Sequence, residues 1–261
     1  MNFYFIQNIF IFLEECLVKS PSKGDFFTLS PDYIKNENTK NALLKDILEL
    51  YPDLTYLPEK DCEKKEFRTV FAASYQPKNR QDWLDGLKST EIVLVEDGLG
   101  DYELTEPDQF YNSKTVYLFR PESARNQAKN LKKLPENSEV LEKFQSLYQP
   151  IIDRLKKYPK STPVLFTTPL SEDFDYDQGI TDKILKKISS IYHPEKLILK
   201  RHPRDHFSYL SNNFEIIECP QNIPGQFIDR IFTGPKIYLA KSTVGFMGDS
   251  PETILDLKSM V

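Results

Sequence analysis

Residues 91–103 (EIVLVEDGLGDYE) join an uninterrupted apolar segment to two carboxylates and a turn that contains glycine. Residues 92–95 are Ile, Val, Leu and Val, a run without the alternation of a half-exposed strand. Such a run is typical of a strand that is covered on both faces in a parallel sheet. The segment therefore predicts a central strand of an α/β sheet.

Two acidic residues, Glu96 and Asp97, stand where this strand is expected to end. Ligands of doubly wound α/β folds bind at the carboxyl edge of the sheet. Gly98 and Gly100 allow a sharp turn with little side-chain bulk, so that another molecule can approach the backbone. We therefore regard the acidic pair as candidate catalytic residues. The alternative is an ordinary turn with solvated acids.

Strand and helix patterns alternate along the whole chain, as in α/β folds. Strands are expected at residues 2–6, 25–29, 67–74, 91–95, 115–119, 164–168, 196–200, 214–218 and 236–240. Helices are expected at residues 8–18, 40–50, 81–87, within 122–157, and at 181–192, 226–232 and 251–258.

A proline-containing segment separates the two halves of this alternation. Residues 156–163 (KKYPKSTP) combine charge, two prolines and small polar residues, as an interdomain linker does. We therefore expect two Rossmann-like domains, at residues 1–157 and 158–261. The pattern alone also permits one large sheet.

Composition and the N-terminus limit the class of protein. A net charge of -5 argues against a general nucleic-acid binder, which needs a basic face for phosphate contacts. Cys16, Cys62 and Cys219 have neither metal-type spacing nor the even number of a disulfide framework, which indicates a reducing cytoplasm. The apolar residues 1–20 are interrupted too early to span a membrane. We expect a cytoplasmic protein, and a peripheral position at the inner membrane face is compatible with the sequence.

A cationic segment follows the strand expected at residues 196–200. Lys200, Arg201, His202, Pro203 and Arg204 place several cations and one imidazole at a strand end. A histidine there can donate a hydrogen bond to a leaving phosphate or protonate it near neutral pH, and proline fixes the turn. The segment is a candidate phosphate site. The alternative is a solvated basic turn.

Hydroxyl side chains end two further strands of the second half. Thr167 and Thr168 follow one strand, and Ser242 and Thr243 follow another just before an expected helix. Hydroxyls and free N–H groups at a helix start bind anionic oxygens, although a plain N-cap explains the same residues. The acidic run at residues 173–177 is interpreted as a solvated loop rather than a metal site.

Three of these strand-end motifs occur together in a recognisable order: Glu96-Asp97-Gly98, His202-Pro203 and Ser242-Thr243. In order and domain placement they resemble the short motifs of bacterial sialyltransferases of glycosyltransferase family 52, the lipooligosaccharide sialyltransferase family. Bacterial polysialyltransferases are related to that family. The likeness covers most of the chain in layout and few residues in detail.

The resemblance implies a GT-B fold, with two Rossmann-like domains facing each other across a cleft. It implies an enzyme that transfers sialic acid from CMP-N-acetylneuraminic acid to a hydroxyl of a cell-surface glycan, with inversion. Residues 1–157 would form the acceptor side and residues 158–261 the CMP-donor side. The implied partners are thus a CMP-activated sugar and a glycan acceptor, with no nucleic acid.

The resemblance also implies roles for individual residues. One carboxylate of Glu96 and Asp97 would be the general base, and His202 would assist the departure of CMP. No metal or other cofactor is implied, because CMP has one phosphate and no diphosphate for a metal to clamp. The substrate-binding residues would be Gly98, Thr167, Thr168, Lys200, Pro203, Arg204, Ser242 and Thr243.

One departure from the family pattern leaves other functions open. Gln226 is neutral where relatives tend to carry an acidic residue that binds the nucleoside. A transferase using another CMP-activated or CDP-activated donor, such as Kdo or glycerol phosphate, is one alternative. A non-catalytic nucleotide-sugar-binding protein is the second. The sequence indicates no oligomeric state.

Overall fold

The computed structural model describes residues 1–34, 37–74, 76–96, 109–124, 130–202, 204–221, 223–239 and 252–254. The chain divides into two compact units, Met1–Leu147 and Tyr148–Val261. Each unit contains a parallel sheet of Rossmann-like type accompanied by helices, so the expected α/β class is confirmed. The expected assignment of acceptor and donor sides to residues 1–157 and 158–261 stays a prediction.

The first unit is built on a seven-stranded sheet whose neighbouring strands are all parallel. Its strands are β1 (Asn2–Ile6), β2 (Phe26–Leu29), β3 (Thr55–Tyr56), β4 (Glu66–Ala73), β5 (Lys88–Val95), β6 (Thr115–Leu118) and β7 (Leu131–Lys133). Their order in space is β3-β2-β1-β4-β5-β6-β7. The strand order therefore reverses between β1 and β4, and ligands bind beside such a reversal in open α/β sheets.

The helices of the first unit cover both faces of this sheet. They are α1 (Ile9–Val18), α2 (Glu37–Leu50), α3 (Glu59–Cys62), α4 (Lys78–Gly86), α5 (Gln109–Asn112) and α6 (Ser138–Leu147). Tyr4 of β1 packs edge-on against Phe12 of α1, and Phe5 lies against Trp83 of α4. Because neighbouring residues of a strand point to opposite faces, these contacts bury both faces of β1.

The apolar N-terminus forms the strand and the helix that its sequence predicts. β1 has the expected bounds, and α1 begins one residue after Asn8, which caps it. The Asn8 side-chain oxygen accepts hydrogen bonds from the N–H groups of Phe10 and Ile11 at 2.9 and 3.0 Å. In the part of the chain that the structure describes, no helix is long and apolar enough to cross a membrane.

The second unit is built on a smaller parallel sheet with the order β10-β9-β8-β11-β12. Its strands are β8 (Val164–Phe166), β9 (Lys196–Lys200), β10 (Glu215–Cys219), β11 (Lys236–Tyr238) and β12 (Glu252–Ile254). Its helices are α7 (Gln149–Leu155), α8 (Leu170–Phe174), α9 (Ile180–Tyr192) and α10 (Gly225–Ile231). Ile184 and Ile188 of α9 pack with Leu165, Leu199 and Ile237 of the sheet in one buried core.

One expectation about secondary structure is wrong, and another is confirmed in part. The final helix expected at residues 251–258 is a strand at Glu252–Ile254, where β12 pairs with β11. The helix-rich region expected at residues 122–157 contains α6 and α7, and it also contains the unexpected strand β7, which pairs with β6. Both strands have only three residues, so pairing with a neighbour decides their conformation rather than a local apolar pattern.

Candidate functional site

The first candidate site lies at the carboxyl edge of the seven-stranded sheet. Glu96 follows β5, and its N–H donates to the carbonyl of Tyr117 at 3.0 Å, which extends the ladder. Its side chain is fully buried, and Oε2 accepts a hydrogen bond from the N–H of Phe119 at 2.9 Å. The carboxylate is therefore fixed over the end of β6. Asp97 and Gly98 lie outside the described residues.

Glu96 belongs to a level row of buried polar residues at this edge. Each member occupies the first position after one of four neighbouring strands, and together they form the polar edge row: Ser30, Gln7, Ser74 and Glu96. The strand registers set these positions level with one another. Ladder hydrogen bonds reach them, from Ser30 N–H to Ile6 O at 2.8 Å and from Ser74 N–H to Val95 O at 2.7 Å. Level neighbours in parallel strands point to the same face of the sheet, so the four side chains share one face.

Two members of the polar edge row have polar atoms without hydrogen bonds. No partner among the described residues reaches either amide atom of Gln7 or the hydroxyl of Ser30. Both residues are at most 3% exposed. A buried polar group left without a partner costs about 1 to 3 kcal/mol. These groups lie beside the strand-order reversal between β1 and β4, so they are candidates for contact with a ligand.

An aromatic pair lies at the same edge of the sheet. Phe10 is in the first turn of α1, and Phe119 follows β6. Their rings are nearly parallel, with centroids 6.4 Å apart, and both side chains are half-buried. Since the N–H of Phe119 donates to Glu96, the aromatic pair directly adjoins the polar edge row.

The second candidate site lies at the carboxyl edge of the smaller sheet. His202 follows β9, and its N–H donates to Oγ1 of Thr167 at 3.0 Å. Its Nδ1 accepts a hydrogen bond from the N–H of Arg204 at 3.1 Å. A neutral imidazole whose Nδ1 is an acceptor carries its proton on Nε2. His202 is therefore held as an Nε2–H donor.

The surroundings of His202 keep its imidazole neutral. Burial, followed by the charges of Arg204 and Lys200, lowers the pKa of His202 to about 4, against the opposing effect of Glu172. At neutral pH the free protein therefore carries an uncharged imidazole at this position. Of the two roles that the sequence left open, hydrogen-bond donation fits this state better than protonation.

Lys200 connects the ends of β9 and β10 through hydrogen bonds next to His202. Its side chain is 6% exposed, and Nζ donates to the carbonyls of Arg201 at 2.7 Å and Gln221 at 3.0 Å. The Gln221 amide donates in turn to the carbonyls of His202 at 3.3 Å and Asp205 at 3.0 Å. Burial lowers the pKa of Lys200 to about 8. Lys200 and Gln221 together hold the turn that presents His202.

The other cations of this candidate site are paired with acidic side chains. Arg204 is exposed and lies 2.6 Å from Glu172, and Arg201 forms an ion pair with Glu218. Exposed pairs contribute little to stability, typically about 0 to 1 kcal/mol. A bound anion can therefore replace Glu172 as the partner of Arg204 at small cost.

The structure brings some of the expected site residues together and leaves others undescribed. Thr167, Thr168, Lys200 and Arg204 lie with His202 at one sheet edge, and Glu96 lies at the edge of the other unit. Five expected residues lie outside the described part of the chain: Asp97, Gly98, Pro203, Ser242 and Thr243. Within the described ranges, no group of three or more His, Cys, Asp or Glu side chains is placed to hold a metal ion.

Four polar residues at these edges had no place in the sequence-based site. They are Gln7, Ser30, Ser74 and Gln221. Three of them follow strands directly, so the strand-end rule that selected Glu96 also applies to them. They carry no charge, and a lone serine or glutamine after a strand forms no distinctive local pattern.

Comparison with known proteins gives one partial similarity. No family model matches the chain. An uncharacterized protein of Haemophilus influenzae (strain ATCC 51907 / DSM 11121 / KW20 / Rd) is 28% identical over 145 residues, which cover 47% of this chain and 47% of that protein. The chain thus spans about half the length of the curated relative that it matches.

Proposed function

We propose that the protein is an inverting, metal-independent glycosyltransferase that moves sialic acid from CMP-N-acetylneuraminic acid to a hydroxyl of a cell-surface glycan. The acceptor is a lipooligosaccharide or a capsule glycan. The observation that carries the proposal is the neutral imidazole of His202, which Thr167 and Arg204 hold as an Nε2–H donor among cations. Such a donor suits a leaving group with one phosphate.

The proposed reaction is a single displacement at the anomeric carbon of sialic acid. The acceptor hydroxyl oxygen bonds to that carbon while the bond from the carbon to the CMP phosphate oxygen breaks. The electron pair of the broken bond stays on the phosphate oxygen, and the acceptor proton passes to the carboxylate of Glu96 or Asp97. Attack opposite the leaving CMP inverts the anomeric configuration.

The groups on the second unit act on the departing phosphate. His202 donates a hydrogen bond from Nε2, and Arg204 supplies positive charge from an exposed position where it pairs with Glu172. Ser242 and Thr243 complete the proposed phosphate contacts. Because CMP has a single phosphate, hydrogen-bond donors and cations are sufficient to stabilise its charge, and the proposal needs no metal.

The proposed arrangement is of GT-B type, with the acceptor on the first domain and CMP on the second. It is supported by the presence of a parallel sheet in each unit, with Glu96 and His202 at carboxyl edges, where α/β folds bind ligands. The proposed place of action is the cytoplasm, at the inner membrane face where surface glycans are assembled.

A donor-hydrolysis panel tests this function. The whole chain is incubated separately with CMP-N-acetylneuraminic acid, CMP-Kdo and CDP-glycerol, and the released nucleotide is measured. We expect release from CMP-N-acetylneuraminic acid. Release only from CMP-Kdo or CDP-glycerol would assign another donor, and CMP binding without hydrolysis or transfer would favour a non-catalytic nucleotide-sugar-binding protein.

Substitution of His202 links the activity to the candidate site on the second unit. We expect His202→Ala to lower turnover on the order of 100-fold, the range that positioned proton or hydrogen-bond donors contribute. His206→Ala is the matched control, because His206 is exposed on the same loop. Equal turnover of the two variants would exclude the role of His202.

Two substitutions, each of which removes the charge of one carboxylate, identify the general base. Glu96→Gln keeps an amide oxygen that accepts the hydrogen bond from the N–H of Phe119, so it removes the charge with little change in shape. Asp97→Asn is the companion variant. The variant with the larger loss of transfer, at unchanged affinity for CMP, identifies the base, and full transfer by both would exclude the acidic pair.

A further inference from the structure

We propose that the polar edge row, with Gln7 near its centre, binds hydroxyl groups of an uncharged acceptor sugar. This inference rests on the proposed function and names the class of acceptor for the same site. It starts from the unpartnered amide of Gln7, which no other inferred role uses.

The amide of Gln7 differs from the other buried glutamine amides of this unit. Nε2 of Gln81 donates to the carbonyl of Gln76 at 2.9 Å, and Nε2 of Gln76 donates to the carbonyl of Ala73 at 3.0 Å. These amides have clear structural roles in the loop after β4. Gln7 is equally buried, yet neither its oxygen nor its nitrogen has a partner in the described part of the chain. A structural amide is expected to be bonded, so a ligand is the better explanation.

The chemistry of the polar edge row suits sugar hydroxyls. An amide offers two donors and an acceptor, and a serine hydroxyl offers one donor and two acceptor lone pairs. A sugar hydroxyl likewise donates and accepts. Gln7 lies level with Ser30 on one side and Ser74 on the other, so adjacent hydroxyls of one ring can meet adjacent side chains.

The charge of the row argues for an uncharged ligand. It contains the carboxylate of Glu96 and no cationic side chain. Arg80, which packs on Phe5 of β1, is engaged by Asp32 at 2.9 Å and Glu59 at 2.7 Å. A sugar that carries its own carboxylate would be repelled by the Glu96 carboxylate, and the four residues of the row supply no cation to compensate. We therefore expect a neutral terminal sugar as the acceptor, and not a chain that ends in sialic acid.

An apolar surface completes the same edge. Half-buried Phe10 and Phe119 adjoin Glu96, and small-molecule sites commonly combine aromatic walls with a few placed polar groups. The C–H face of a sugar ring fits such a wall. The row itself is at most 4% exposed in the free chain, so binding requires side chains to turn outward. Rotation of Gln7 breaks no hydrogen bond in the described residues, because its amide makes none there.

The test replaces the amide of Gln7 without changing its size. Lactose, an uncharged disaccharide, is the acceptor in the assay. In Gln7→Met, we expect the KM for lactose to rise at least fivefold and the ratio of transfer to donor hydrolysis to fall by a similar factor. We expect the melting temperature to stay level or rise, because an unpartnered polar group is replaced by an apolar one. Ser30→Ala is the second variant, and its KM for lactose is expected to rise at least threefold.

The control is Gln81→Met, which removes a buried amide that does form a hydrogen bond. It is expected to lower the melting temperature without a specific change in the KM for lactose. A lower melting temperature or failure to fold in Gln7→Met would assign its amide a structural role and overturn the inference. An unchanged KM for lactose in both Gln7→Met and Ser30→Ala, or preference for sialyllactose over lactose, would also overturn it.

Donor hydrolysis by the wild-type chain, measured without acceptor, distinguishes failure of the proposed function from failure of this inference. If no CMP-activated or CDP-activated donor is hydrolysed, that function fails, and lactose binding is then measured directly by saturation-transfer NMR. Binding to the wild type that is lost in Gln7→Met would support the polar edge row. Absence of binding to the wild type, or equal signals from both proteins, would overturn it.

Discussion

Thr167 and His202 are joined by a hydrogen bond in which the backbone N–H of His202 donates to Oγ1 of Thr167 at 3.0 Å. The two residues follow the adjacent parallel strands β8 and β9, so the bond connects the carboxyl ends of those strands. Thr167 is largely buried. The hydroxyl is thus engaged in holding the turn, and we interpret Thr167 as a positioning residue for the imidazole.

Removal of the Thr167 hydroxyl is expected to impair turnover through His202. Thr167→Val keeps the shape of the side chain but removes the acceptor for the His202 N–H. We expect donor hydrolysis to slow about 10-fold and the free energy of unfolding to fall by about 1 kcal/mol, the usual worth of one hydrogen bond. Both quantities are measured on the same preparation, by nucleotide release and by urea unfolding.

Thr167→Ser serves as the rescue variant, because it restores the hydroxyl and removes only a methyl group. It is expected to recover most of the turnover lost in Thr167→Val. Equal activity of the valine and serine variants would contradict the positioning role.

Acid is expected to destabilise the protein through His202. Its pKa in the folded chain is about 4, below the ordinary value of 6.5, so between these values the unfolded chain binds a proton that the folded chain does not. The stabilising effect of a neutral His202 is therefore present above pH 6.5 and is lost as the pH falls toward 4. We expect urea unfolding to show a steeper loss of stability over this range for the wild type than for His202→Gln.

The pKa itself is measured by NMR titration of the imidazole resonances, with assignment by comparison to His202→Gln. Addition of CMP is expected to raise the pKa of His202, because the phosphate charge favours the imidazolium. A measured pKa near 6.5 for His202 in the free protein would contradict its burial beside Arg204 and Lys200.

Hydrophobic patterns predict the central strands of this fold well and its short edge strands poorly. β1 and β9 have the predicted bounds, because each is a run of mostly apolar residues that a core must bury. β7 consists of Leu-Lys-Lys and β12 of Glu-Thr-Ile, and neither run indicates a buried strand. Their conformation depends on pairing with β6 and β11, which are non-local contacts that a single sequence does not specify.

Prediction of the candidate site has the same limit. Charge at the ends of apolar runs drew attention to Glu96 and to the segment that contains His202. The neutral residues Gln7 and Ser30 have no such signal, and their significance comes from strand register and from missing hydrogen bonds. Strand register is set by distant parts of the chain, so the polar edge row becomes visible only in three dimensions.

Gly234 is expected to tolerate no side chain. A Cβ atom at this position would lie 2.2 Å from the carbonyl oxygen of Ser161, and the N–H groups of Thr233 and Gly234 both donate to the carbonyl of Lys160. Gly234→Ala must therefore displace backbone rather than a flexible side chain. We expect a loss of about 1 to 3 kcal/mol or more in the free energy of unfolding. Gly86→Ala is the control, because a Cβ there meets nothing within 4 Å, and an equal loss in the two variants would contradict the contact.

Glu15 is expected to destabilise the first unit as the pH rises. It is fully buried in α1, and no hydrogen-bond partner among the described residues reaches either carboxylate oxygen. Burial raises the pKa of Glu15 well above its ordinary value. The folded chain therefore keeps a proton that the unfolded chain releases above about pH 4.5, so this group lowers stability as the pH increases beyond that value.

Glu15→Gln removes this titration and is expected to increase the free energy of unfolding at pH 8 by about 1 kcal/mol or more. The gain should shrink as the pH falls toward 4.5, where the wild-type carboxyl is protonated in both states. The acid effect of His202 is present in both proteins and cancels in the difference. Glu49→Gln is the control on the exposed side of α2, where we expect little change at any pH. A gain that is independent of pH, or equal in both variants, would contradict a buried, protonated Glu15.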